Sequence, residues 1–305
     1  MSEIEKSFLV QKYAKLKLGQ HTLIGYSMAG EESVLQIPEL NVCFDIGRAP
    51  QFALSSDYLC LTHGHMDHLA GIAYYLSQKQ FQGMKGGTIL LPAELEQSVE
   101  RLLAVWREIE RQQTPYVLVP MRHNQLHEIR KDFGIRAIGT HHGLASLGFS
   151  LISIREKLKP EYVGTPGEEL SRLRREGVEI QYRVEIPLVT YLGDTSFGPV
   201  FEHPDVVNAE TLITECTFYE PDHKSRAKAG KHLHVIDLAR VLPRLNNKHV
   251  VLTHVSRRTG VRRAKQILRK SVLAEELLAN VMFLMDFDNA QAGGEVDDHA
   301  PIRPE

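Results

Sequence analysis

Between Leu61 and His68 the chain places four side chains of metal-ligand type, His63, His65, Asp67 and His68, within six positions. This run constrains the fold more than any other feature. The stretch before it, Asp57 to Leu61, reads as a buried strand, and Leu69 to Leu76 after it reads as an amphipathic helix. Open α/β sheets place their chemistry at such strand ends. Side chains two apart in an extended segment point the same way. His63 and His65 can therefore grip one ion, while Asp67 and His68, past the turn, reach a second. Imidazole and carboxylate together suit zinc, with manganese and iron as alternatives. A lone His-x-His pair in a chain with 15 His would read as structural. Four ligands directly after a strand read as half of a two-metal hydrolytic site.

At 305 residues the chain can bury a sizeable core, and 43% hydrophobic with 24% charged residues is an ordinary globular balance. The formal net charge of −2 gives no global attraction to nucleic acid or membrane, so such a partner needs a local patch. Cys43, Cys60 and Cys216 are widely spaced and sit in apolar runs, which reads as three small core residues in a reducing compartment. No run approaches the roughly 18 apolar residues of a membrane span, and the first residues lack the pattern of a signal peptide. The expectation is a cytoplasmic protein.

From Ala14 to Ile46 short apolar runs alternate with turn residues, which is strand and hairpin patterning. Further strands are expected at Thr88 to Leu91, Tyr116 to Val119, Ile135 to Thr140, Leu147 to Ile154, Leu188 to Leu192, Thr211 to Ile213, His249 to Leu252 and Val281 to Met285. Helices are expected over Ala93 to Gln112, Ile236 to Leu245 and Arg262 to Ala279. In the first of these, Leu95, Val99, Leu102, Leu103, Trp106 and Ile109 form a core-facing stripe. Residues 155–187 change character, with Arg172, Arg174 and Arg175 among acids and glycines, and read as an excursion from the core. The domain is taken as 1–287, and 288–305 as an acidic disordered tail. Strand-rich halves, each finished by helices, point to an α/β fold with two sheets face to face and helices outside.

A two-metal site needs more ligands than one run supplies. His141 and His142, Asp194 and His254 each close a later apolar strand. Singly, such residues are as readily caps or turn residues; jointly they point to one site. The pattern resembles the metallo-β-lactamase superfamily, an αββα sandwich of two mixed sheets, and within it ribonuclease Z in its short plant-type form. Glu215 with Thr217 resembles that family's Glu-x-Thr signature, and Gly230 to Val235 its helix-opening His-x-His segment. The run from Thr253 to Arg258 resembles its closing motif, and Phe44 to Gln51 and Glu161 to Ile180 look plant-type. Lys231 stands where that motif usually has Gly, and His141 where Asp or Phe is common.

The resemblance implies that His63, His65 and His142 hold a first zinc and Asp67, His68 and His254 a second, with Asp194 bridging. His142 is preferred to His141 by its interval to Gly148. Asp45 would orient the motif's histidines. Asp67 would take a proton from the attacking water, and His232 with Glu215 would protonate the leaving oxygen. The implied enzyme is a zinc-dependent endoribonuclease that removes the 3′ trailer of precursor tRNA, as a homodimer. Arg257, Arg258, Arg262, Arg263 and Lys265, beside His254, are candidate phosphate contacts, as are Arg172, Arg174 and Arg175 in a short substrate-binding arm. The same fold could serve a small phosphodiester, thioester or lactone, or a weakly catalytic RNA-binding protein.

Overall fold

The computed structural model describes residues 13–272 and 274–287; the expected acidic tail lies outside them. The first sheet runs β1 (Ala14–Leu18), β2 (His21–Met28), β3 (Glu32–Ile37), β4 (Val42–Phe44), β5 (Tyr58–Cys60), β6 (Gly87–Pro92) and β7 (Tyr116–Met121) in spatial order. The second runs β8 (Leu126–Arg130), β9 (Phe133–Gly139), β10 (Leu147–Leu158), β11 (Gln181–Tyr191), β12 (Thr211–Glu215), β13 (His249–Thr253) and β14 (Val281–Phe283). In each sheet the first four strands pair antiparallel and the last four parallel. The halves thus share a topology although no sequence repeat announces it.

Side-chain alternation builds two cores. In β4, Val42 and Phe44 join a cluster fed by both sheets and no α-helix, with Leu16, Leu35, Ile135, Phe149, Tyr191 and Val251. Cys43 points the other way, into the cluster beneath the helices. The helices are α1 (Met66–Leu69), α2 (Ile72–Phe81), α3 (Glu96–Glu110), α4 (Gly167–Arg175), α5 (Pro204–Asn208), α6 (Lys224–Gly230), α7 (Val235–Val241) and α8 (Val261–Ser271). Among the described residues, none is long and apolar enough to cross a membrane.

Several expectations need correction. The helix after the metal run starts inside it, at Met66, breaks, and restarts at Ile72. A Cβ on Gly71 would lie 2.5 Å from the Ala49 nitrogen, so the break is where the chain crosses the turn after β4. The stripe on α3 is less buried than its pattern suggests: Val99 and Leu103 are core, whereas Leu102, Trp106 and Ile109 are exposed. Strand β8 was not expected, because its sequence offers only two apolar positions and it sits at a sheet edge. The helix expected to reach Ala279 stops at Ser271, and a 3-10 turn follows at Glu275–Leu278. The segment 155–187 is less irregular at its two ends than its composition suggests, because β10 and β11 stay paired from Phe149↔Tyr191 to Leu158↔Gln181 and only 159–180 leave the ladder. The wholly unburied α4 lies between those strands in sequence.

Candidate metal centre

The site forms where strand ends of both sheets meet. β4 delivers Asp45, β5 the run His63 to His68, β9 His142, β11 Asp194, β12 Glu215 and β13 His254. Ligand atoms of His63, His65, His142 and Asp194 lie within 4.8 Å of one another, as do those of Asp67, His68 and His254. Asp194 Oδ2 lies between the groups: it is 3.6 Å from His142 Nε2, 3.5 Å from His68 Nε2 and 3.4 Å from His254 Nε2. His141 is exposed and outside both groups.

Four of the five clustered histidines are gripped at Nδ1, which turns Nε2 inward. His68 Nδ1 donates to Asp45 at 2.7 Å, and His142 Nδ1 donates to the Lys231 carbonyl at 3.1 Å. Thr62 donates its hydroxyl to Asp45 and accepts from His63 Nδ1 at 3.0 Å. Thr217 donates to Glu215 at 2.6 Å and accepts from His254 Nδ1 at 2.9 Å. His65 differs, its Nδ1 lying 3.0 Å from His63 Nε2 and 3.2 Å from His142 Nε2.

The donor set fits bound metal. His68 Nε2, His254 Nε2 and Asp194 Oδ1 are all buried without a hydrogen-bond partner. Buried polar atoms are normally satisfied, and three orphans at one point, all lone-pair donors, are what bound metal ions would satisfy. Titration follows the same crowding. Burial and the neighbouring imidazoles push His63 down to about 2. Burial opposes charge on His68 too, yet Asp194 and Asp45 hold its pKa well above the ordinary imidazole value. Desolvation would raise Asp67, but His254 and His68 hold it well below the usual carboxylate range.

Backbone strain sits at the same place. Asp45 (φ 52°) and His254 (φ 57°) are left-handed without being glycine, a conformation that persists where surrounding contacts enforce it. Gly193, before Asp194, has φ 59°, and a Cβ there would meet Thr62 Cβ at 2.7 Å. Glycine is required for Asp194 to reach the other sheet's residues.

Beside the clustered ligands, His232 Nδ1 meets Glu215 Oε1 at 2.9 Å. Glu215 is wholly buried and also accepts from Thr195 N–H at 2.7 Å and Leu233 N–H at 3.1 Å. Burial disfavours the imidazolium of His232, but Glu215 and Asp194 raise its pKa to about 9. Its side chain keeps 16% exposure against 4% or less for His63, His68, His142 and His254, so it is the most open to solvent of these. His234, two residues on, instead caps α7 through Ile236 N–H.

Residues 47–255 match a family described as "Beta-lactamase superfamily domain". The chain is 32% identical over 256 residues to "tRNase Z TRZ1" of Arabidopsis thaliana, covering 83% of this chain and 91% of that relative. It is 30% identical to the same plant's chloroplastic tRNase Z TRZ2, covering 84% and 73%. The chain belongs to the tRNase Z family of the β-lactamase superfamily. In fold it is similar to human short-form tRNase Z, with a TM-score of 0.56 at 17% identity over 90% of this chain and 96% of that one.

Against this tRNase Z frame, the residues that sequence reading missed are those that hold the histidines. Thr62 sits inside the metal run and Thr217 inside the Glu-x-Thr signature, so both were in view without a role. Tyr191, whose hydroxyl donates to Asp45 at 3.1 Å, and the carbonyl of Lys231 carry no sequence signal. The expected phosphate contacts divide. Arg257 pairs with Glu31, Arg263 with Glu220, Lys265 with Asp286 and Arg172 with Glu169. Arg258, Arg262, Arg174 and Arg175 form no ion pair with a described residue. The basic run is therefore partly neutralised where it stands.

Proposed function

We propose that this chain is a metal-dependent endoribonuclease that removes the 3′ trailer of precursor tRNA, with two zinc ions per subunit. His63, His65 and His142 would hold one ion, Asp67, His68 and His254 the other, and Asp194 both. When bound, such a pair supplies Lewis-acid charge stabilisation and activates water at neutral pH. The chain's own residues do the rest. Asp67 is fixed by Gly30 N–H at 3.0 Å, and its depressed pKa keeps it ionised, so it orients the attacking water and takes up its proton only transiently. His232, with Nδ1 held by Glu215, presents Nε2–H to the departing 3′ oxygen. A pKa near 9 keeps that proton in place at neutral pH.

The His232–Glu215 pair is the observation that carries the reading, since an acid beside a ligand cluster suits expulsion of a poor alkoxide leaving group. The test is cleavage of a 3′-extended precursor tRNA by wild type, His65→Ala and His232→Ala, with zinc content measured for each. Wild type should cut after the discriminator base. His65→Ala should lose activity and metal together, and His232→Ala should lose about 10² to 10⁴ in kcat while keeping zinc. Bound zinc with no cut by wild type would sink the tRNA reading and favour a small phosphodiester, thioester or lactone.

The fully buried, unpaired thiols of Cys43, Cys60 and Cys216 fit the reducing cytoplasmic setting expected. The exposed Leu102, Val105, Trp106 and Ile109 on α3 support a homodimer. Light scattering should then return twice the chain mass, and a strictly monomeric mass at micromolar concentration would exclude it.

A further inference from the structure

Lys231 occupies the capping position after α6 with φ 53°, a left-handed conformation that favours glycine. It is anchored beside the metal cluster twice. Its carbonyl accepts from His142 Nδ1 at 3.1 Å. Its side chain lies across Gly143, where a Cβ would come within 3.2 Å of Lys231 Cδ and 3.4 Å of Nζ. The side chain is half-buried, and its ammonium has no hydrogen-bond or ion-pair partner among the described residues. By contrast Arg257, Arg263 and Lys265, beside His254, are each engaged by a carboxylate. A cation held by strained backbone next to a candidate ligand histidine, reached by solvent and engaged by no carboxylate of the described residues, is free to take an anion that the chain itself does not supply.

We propose that Lys231 is a phosphate-binding residue of this site, its ammonium taking a non-bridging oxygen of the RNA backbone beside the scissile bond. The proposal rests on the endoribonuclease reading above. It predicts that stability and activity move in opposite directions when the strain is relieved.

The experiment compares Lys231→Gly, Lys231→Met and Lys231→Arg in the full-length, metal-loaded protein. Lys231→Gly should raise Tm by about 2 °C and still lower kcat/KM on precursor tRNA about tenfold. Lys231→Met should lose the same activity without the gain in Tm, and Lys231→Arg should stay within about threefold of wild type. Binding of precursor tRNA to the metal-stripped protein, followed from 50 to 200 mM salt, should show a log–log slope shallower by about 0.8 in the Gly and Met variants. A Met variant that cuts like wild type with an unchanged slope overturns the proposal, and so does one that loses its zinc, which would make the role structural. If wild type fails on precursor tRNA, the endoribonuclease reading falls by itself. Lys231 is then judged on bis(p-nitrophenyl) phosphate, where a tenfold loss in the Met variant supports the contact and no loss overturns it.

Discussion

The two halves of the molecule share a strand order but contribute to the site in different ways. The first half packs its candidate ligands into one run, His63 to His68, immediately after β5. The second half gives one residue per strand end, His142, Asp194 and His254, spread over more than a hundred positions. Yet both halves hold a histidine by the same device. In the first, Asp45, Thr62 and His63 form a chain in which the threonine donates to the carboxylate and accepts from the imidazole. In the second, Glu215, Thr217 and His254 do the same. Thr62 is adjacent to its histidine, whereas Thr217 is 37 residues from His254. Each half also carries left-handed non-glycine backbone at the site, Asp45 in the first and Lys231 and His254 in the second. Orientation of a ligand is thus a property of strand ends brought together, whatever their distance along the chain.

The largest test of this symmetry is Asp194, the residue whose Oδ2 approaches histidines of both halves. On the two-zinc reading proposed above, Asp194→Asn should abolish cleavage and lower zinc stoichiometry for both ions; loss of only one ion, by metal analysis, would show that the halves bind independently. A smaller effect separates the two threonines. Thr62→Val and Thr217→Val should each weaken metal affinity by about 10- to 100-fold. Competition with a chelator checks this, and a loss in only one variant would break the equivalence of the two devices.

The smallest effect is a titration, and it belongs to the second half alone, because Glu215 also holds His232. In the metal-free protein the His232 resonance should titrate near 9, and Glu215→Gln should return it toward 6.5. A folded-state pKa raised above the unfolded value stabilises the protein most below about pH 6.5, and this contribution disappears as pH rises through 9. Denaturation of wild type and Glu215→Gln across that range should show the difference shrinking with rising pH. Constancy would remove the pair as its source.

Strand positions in the halves were legible because alternating and apolar runs follow the period of the pleat, as in β1 and β4. What misled was position in the fold. The apolar stripe of α3 is a good helical pattern, but Leu102, Trp106 and Ile109 lie beyond the surface that the sheet can cover. The two ends of 155–187 gave no strand pattern because a ladder with solvent on its side chains needs no apolar alternation; the Arg155–Leu158 stretch is paired all the same.

By itself, the sequence determined which donor groups stand at the strand ends. The run after β5, the single polar residues closing β9, β11 and β13, and the Glu-x-Thr segment name the donor types and the family, since these depend on residue identity at strand ends. Tertiary structure decided which atoms face the centre. Nδ1 of His142 is held by a carbonyl 89 residues away, and Asp45 is capped by a tyrosine hydroxyl 146 residues away. A backbone carbonyl has no sequence signature, and a hydroxyl acquires its role only when the sheets close. The cation at Lys231 is likewise one of 36 Lys and Arg residues until the left-handed turn after α6 sets it over Gly143.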